Sequence, residues 1–223
     1  MKIAIFLIGI LFFSFISAEI KFNLVHQTKI KITYPDGDDP IIKNGIKDAL
    51  EILKRDDFYT KISEKQDFTF TSERPKHLSQ MIKDATISIR VRMYDGGENT
   101  ATLAYVTSDY PNTIFINKGK TGRSRASIAN TIIHEVIHSI DRSNQDARFG
   151  HGGNSSEGKK ESAPYWIGQL AENLLNRDSF VKNYKVNYEL SKNTNDPSLS
   201  LWYNDGLRHV EETEELEESM ILD

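Results

Sequence analysis

One stretch constrains this chain more than any other, Ser124 to Asp141 (SRASIANTIIHEVIHSID). Its residues Ala126, Ala129, Ile132, Ile133, Val136, Ile137 and Ile140 recur at the spacing of one helical face, and Ser124 stands where an N-cap belongs. The centre of the stretch reads His134-Glu135-Val136-Ile137-His138, an HExxH string. On a helix the two histidines lie one turn apart and project the same way, so their imidazoles can grip one metal ion. Glu135 sits roughly 100° round the axis, where it can reach a metal-bound water without being a ligand. The predicted chemistry is hydrolysis at Zn2+, with His134 and His138 as metal ligands and Glu135 as the catalytic base. The competing reading is an ordinary amphipathic helix with two partly buried histidines. Against it, three of the six histidines fall between His134 and His151.

The N-terminus predicts export. Met1 to Ala18 has a lysine at position 2, an apolar run from Ile3 to Ile16 and a small-residue close at Ser17-Ala18. The run is shorter than the roughly 20 residues that a bilayer core requires, and no cysteine follows it to carry a lipid. The expected organisation is a signal peptide over 1–18, a single domain over 19–210 that holds the HExxH helix and an acidic tail over 211–223. That tail holds seven acidic groups and no Lys or Arg. The expected location is secreted or periplasmic, with no stable membrane span after signal cleavage. Without cysteine, an exported domain of this length must fold on its core alone, and only His and carboxylates remain as strong metal ligands. No Lys/Arg stripe with interleaved aromatics appears along the sequence, so nucleic acid is not an expected partner. The chain is expected to act as a monomer.

Ahead of the central helix, Phe22 to Tyr34 alternates at its end and predicts a half-buried strand, broken by the turn cluster from Pro35 to Pro40. Ile41 to Arg55 predicts a helix, followed by an irregular connection with a short strand at Phe68 to Phe70. A short helix around Lys76 to Asp84 precedes a strand at Thr86 to Tyr94, whose alternation is the cleanest in the chain. Leu103 to Thr107 and Thr113 to Asn117 read as two further strands, and Lys118 to Gly122 as a hinge. Beyond the central helix, Glu161 to Leu175 predicts another helix. The residues from Phe180 to Asp205 read as loop, with a short strand near Lys185 to Leu190.

HEVIH at 134–138, with NTIFINK at 112–118 before it, resembles the zincin metallopeptidases. The resemblance implies an α+β fold, a twisted mixed sheet packed on helices, with the HExxH active-site helix and a mostly helical C-terminal part. It also implies a zinc-dependent endopeptidase in which Thr113 to Asn117 is the edge strand that pairs with substrate. The metzincin pattern HExxHxxGxxH fails here, because Asp141 stands in place of its glycine and Asn144 in place of its histidine.

A catalytic zinc of this kind takes three protein ligands and keeps one open position. His151, flanked by Gly150 and Gly152, is the first candidate for the third, since glycines let the chain turn back toward the helix. Glu161 is the alternative third ligand, reaching from a second helix as in a gluzincin-like site, although Tyr165 stands where that pattern has a further acid. Asp141 remains on the central helix and is expected to cap or to orient a histidine. Tyr165, Tyr203 and His209 are candidate donors to an oxyanion. The alternatives to an endopeptidase are a cell-wall peptide amidase on the same site and a non-catalytic zinc-stabilised binding module.

Overall fold

A computed structural model describes residues 27–35, 37–143, 149–151 and 156–194, with backbone alone for 180, 181 and 183–194. The signal-peptide stretch, Tyr203, His209 and the acidic tail lie outside the described residues. In chain order the elements are β1 (Lys31–Thr33), α1 (Pro40–Ile52), α2 (Asp56–Glu64), α3 (Pro75–Asp84), β2 (Ser88–Tyr94), β3 (Ala104–Tyr105), β4 (Thr113–Asn117), α4 (Arg125–Ser143) and α5 (Ala163–Thr194). The architecture is mixed α/β: a four-stranded mixed sheet and five helices among the described residues. No helix among them is long and apolar enough to cross a membrane.

The sheet runs β1-β2-β4-β3. β1, β2 and β4 are parallel, and β3 closes one edge antiparallel to β4. Alternation assigns the faces. Ile32, Ile89, Val91, Ile114 and Ile116 are buried toward the helices, whereas Lys31, Thr33, Ser88, Arg90 and Arg92 point outward. Cross-strand register sets Arg92 beside Phe115, and Phe115 beside Tyr105 with the rings stacked 5.1 Å apart. Cations and aromatics that the linear sequence keeps apart thus meet on the open face.

The edge strand differs from expectation. Thr113–Asn117 lies between β2 and β3, and the two-residue β3 is the edge beside the cleft. β1 covers only Lys31–Thr33, residues 27–30 of the expected strand lie outside it, and 22–26 lie outside the described residues. The connection after α1 contains α2, which buries Phe58, Tyr59 and Ile62 at helical spacing. Thr69 makes only a single bridge, to Ser162. α5 continues to Thr194 in place of the predicted loop and strand, because neither glycine nor proline interrupts the chain between Gly168 and Pro197.

α4 is held between α1 and α5 at close range. A Cβ on Gly45 would lie 2.3 Å from Ile128 Cγ2, and one on Gly168 would lie 2.4 Å from Asn130 Oδ1 and 3.0 Å from its carbonyl oxygen. Asn130 Nδ2 then donates to Glu172 Oε2 at 2.7 Å, tying α4 to α5. At the far end of β4, fully buried Asn117 accepts from Gly96 N and Gly119 N and donates to Gly97 and Thr102 carbonyls. That one side chain fastens the loop leading into β3.

Asn117→Ala leaves those four backbone groups without their partner. Stability in urea denaturation should fall by about 2–4 kcal/mol. A loss well below about 1 kcal/mol would show that the loop holds itself.

Candidate metal centre

α4 begins where the sequence predicts, with Ser124 Oγ accepting from Ser127 N at 3.1 Å. Its apolar stripe, including Ile132, Ile133, Val136, Ile137 and Ile140, is buried, which turns His134 and His138 toward the remaining side. Their rings lie 4.9 Å apart. His151 completes the group, 5.4 Å from His134 and 4.9 Å from His138 between ring centroids. One nitrogen from each ring falls within 4.8 Å of the others. Tetrahedral ligands at the usual metal–nitrogen distance stand about 3.4 Å apart, so small ring movements would close the three on an ion.

Two contacts bring His151 back. Asp141 Oδ1 accepts from Phe149 N at 3.0 Å, and the Phe149 side chain is fully buried. The chain is therefore pinned two residues before His151 by an acid on the same helix as the other two histidines. The observed contact of Asp141 is thus with the Phe149 backbone, whereas the sequence suggested a cap or a histidine as its partner.

α5 supplies the other wall. The Pro164 backbone faces the His134 ring and opposes the fall in its pKa. The Tyr165 ring stands 4.6 Å from His134 and 5.0 Å from His151. Residues 65–70 clamp this segment: Thr69 N donates to the Glu161 carbonyl at 3.2 Å, Thr69 Oγ1 donates to the Gly158 carbonyl at 2.7 Å, and Phe68 meets Trp166 edge to face. Gly158 has φ of 74°, a conformation that glycine adopts without strain.

Glu161 lies elsewhere. It sits in a short 3-10 turn before α5, its carboxylate is 57% exposed, and it pairs with Lys65 Nζ at 2.8 Å. Its acidity serves the clamp, and the cluster of potential ligands among the described residues is His134, His138 and His151.

Burial pushes the His134 pKa down to about 3, helped by His151, and the His138 pKa down to about 2, helped by both other rings and Arg142. Both rings are therefore neutral at pH 7 with lone pairs available, as a metal requires. Burial pushes Glu135 up to about 7, with the Arg142 charge opposing. Burial and the Glu135 charge raise Tyr165 above its ordinary value. The donor set fits a divalent transition metal. Around it opens a cleft of about 1010 Å³, with residues 101–106 beside β3 on one wall and α4 on the other.

Compared with known proteins, the chain matches no family model, no curated protein and no solved structure, so its own residues carry any functional reading.

Substitution separates the two candidate third ligands. His151→Ala should weaken divalent-metal binding in calorimetry by about a hundredfold or more, while Glu161→Gln leaves it unchanged. The reverse ranking would overturn the assignment. Acid should also weaken the metal-free fold. His134 and His138 have folded pKa values below the ordinary 6.5, so their contribution is present above about 6.5 and lost as pH falls toward 3. Glu135, raised from 4.5 to about 7, contributes below 4.5 and loses that contribution as pH rises through 7. Between these ordinary values the unfolded chain binds one more proton net, so stability should drop by about 1.4 kcal/mol per unit. Denaturation of the chelated protein at pH 6.5 and pH 5 reads this directly; equal stability at both would contradict it.

Proposed function

We propose that this chain is a zinc-dependent endopeptidase of the zincin type. The observation that carries the reading is the cluster of three imidazoles whose ligand nitrogens lie within 4.8 Å of one another, with Glu135 beside them in an open cleft. A three-histidine set with carboxylates held apart suits zinc, and a bound zinc ion supplies Lewis acidity and lowers the pKa of water toward neutrality.

The chain's own groups supply the proton handling. With a pKa near 7, Glu135 can accept a proton from water at neutral pH and return it to the leaving amine. Tyr165, beside His134 and His151, offers a hydroxyl to the oxyanion that develops at the scissile carbonyl. The exposed edge at Ala104–Tyr105 presents backbone groups along the cleft, where an extended peptide can add as a further strand. This gives β3 the substrate-pairing role that the resemblance assigns to Thr113–Asn117. A signal peptide at 1–18 directs the activity to a secreted or periplasmic substrate.

Glu135→Gln is the direct test. The variant should retain stoichiometric zinc and lose cleavage of a fluorogenic peptide by about a hundredfold or more. If the wild-type chain, charged with zinc, cleaves no peptide, or if the variant cleaves as well as the wild type, the endopeptidase reading falls. A zinc-stabilised binding module would then take its place.

A further inference from the structure

The charge on the cleft walls is unbalanced. Arg123, Arg142 and Lys159 line it, whereas its only acids among the described residues are Glu135 and Asp141. Glu135 is buried beside the histidines, and Asp141 Oδ1 accepts from Phe149 N.

The two arginines stand toward opposite ends of α4's contribution to the cleft. Arg123 is held rigidly, donating from Nε to the Lys120 carbonyl at 2.7 Å and from Nη1 to Thr131 Oγ1 at 2.9 Å. Its Nη2 is buried and has no hydrogen-bond partner among the described residues. The nearest acid, Glu172, acts on it through space, since its own carboxylate is taken by Asn130 Nδ2. An unmet donor on a permanent cation is costly, and a carboxylate satisfies it best. Arg142 lies one turn beyond His138, is exposed, and makes no ion pair among the described residues, while its charge is felt by both Glu135 and His138.

We propose that the cleft selects peptides bearing carboxylates, with Arg123 on one side of the imidazole cluster and Arg142 on the other as the groups that recognise them. This rests on reading the cleft as a peptide site. The rise from Thr131, where the Arg123 guanidinium is anchored, to Arg142 is about 16 Å. That is the length of about five extended residues, so the preferred substrate carries acids two or three residues to either side of the bond above the histidines. A metal dication between the two arginines adds to the same field.

Binding tests this independently of turnover. Full-length Glu135→Gln protein supplied with zinc is titrated with fluorescein-labelled, C-terminally amidated decapeptides. One has two Glu five residues apart, one has Gln at those positions, and one has both Glu adjacent at one end. The spaced-Glu peptide should bind about tenfold or more tightly than either other peptide. Adding Arg142→Gln should cost it about tenfold while leaving the Gln peptide unchanged, and Arg123→Gln should do the same where melting shows the fold intact. A Gln peptide with a free C-terminus asks whether a terminal carboxylate serves as the ligand. Tight binding there also supports carboxylate recognition and assigns its source. Equal affinity for spaced-Glu and Gln peptides overturns the inference and leaves the endopeptidase reading standing. Equal affinity for the spaced and adjacent Glu peptides overturns it too, reducing the effect to net charge. Failure of every peptide to bind removes both readings.

Discussion

The hydrogen bond from Phe149 N to Asp141 Oδ1, with the Phe149 ring sunk in the core, is the contact on which the site depends. α4 alone delivers two imidazoles, and two do not define a hydrolytic metal site. The third must come from a chain that has left the helix and is free to go anywhere. Anchoring it two residues before His151, to an acid one turn past His138, makes the third ring's position a property of α4 itself.

α5 is fixed with comparable care from the opposite side. The segment from Gly158 to Trp166 would otherwise be a loose entry to a long helix. Thr69, Phe68 and Lys65 hold it through backbone hydrogen bonds, an aromatic edge and the Glu161 pair. Because Pro164 and Tyr165 follow at once, this clamp sets both the backbone that faces His134 and the ring that walls the cluster. Gly168 then lets α5 run close along Asn130. The second sphere of the site is thus built from α2's end, from the start of α5 and from a helix crossing that only a small residue permits.

Periodicity made much of this legible. The α4 stripe, its Ser124 cap, the β2 alternation and the β4 limits follow from side-chain spacing, and HExxH follows from the fixed one-turn offset on a helix. His151 was readable as the first candidate because glycines flank it, and Glu161 was readable as its rival. What separates them is Lys65, distant in sequence, and no local pattern reports that pair. The order of strands was hidden for a similar reason. Thr113–Asn117 looks like an edge by its position before the helix, yet β3 returns antiparallel and covers it. α2 was missed although Phe58, Tyr59 and Ile62 carry helical spacing, because the polar residues around them read as connection. The second half of α5 lacks an apolar stripe, and only the absence of breakers marks it as helix. The basic and aromatic face of the sheet exists only through register.

Burial gives the site its chemistry at the expense of stability. Taking His134 and His138 out of water holds them neutral, and the same loss of hydration holds Glu135 near pH 7. None of these states suits a structural core; a histidine there would do better as an isoleucine, like its neighbours Ile133 and Ile137. Three polar groups in the cleft, each displaced from its solution behaviour in the direction that metal binding and proton transfer need, form a local conflict with the apolar burial of their isoleucine and valine neighbours on α4. Arg142 sharpens the conflict by placing a cation where it further disfavours protonated His138 and favours ionised Glu135. Packing alone gives no reason for that combination, whereas one divalent cation bound by the rings gives a reason for all of it.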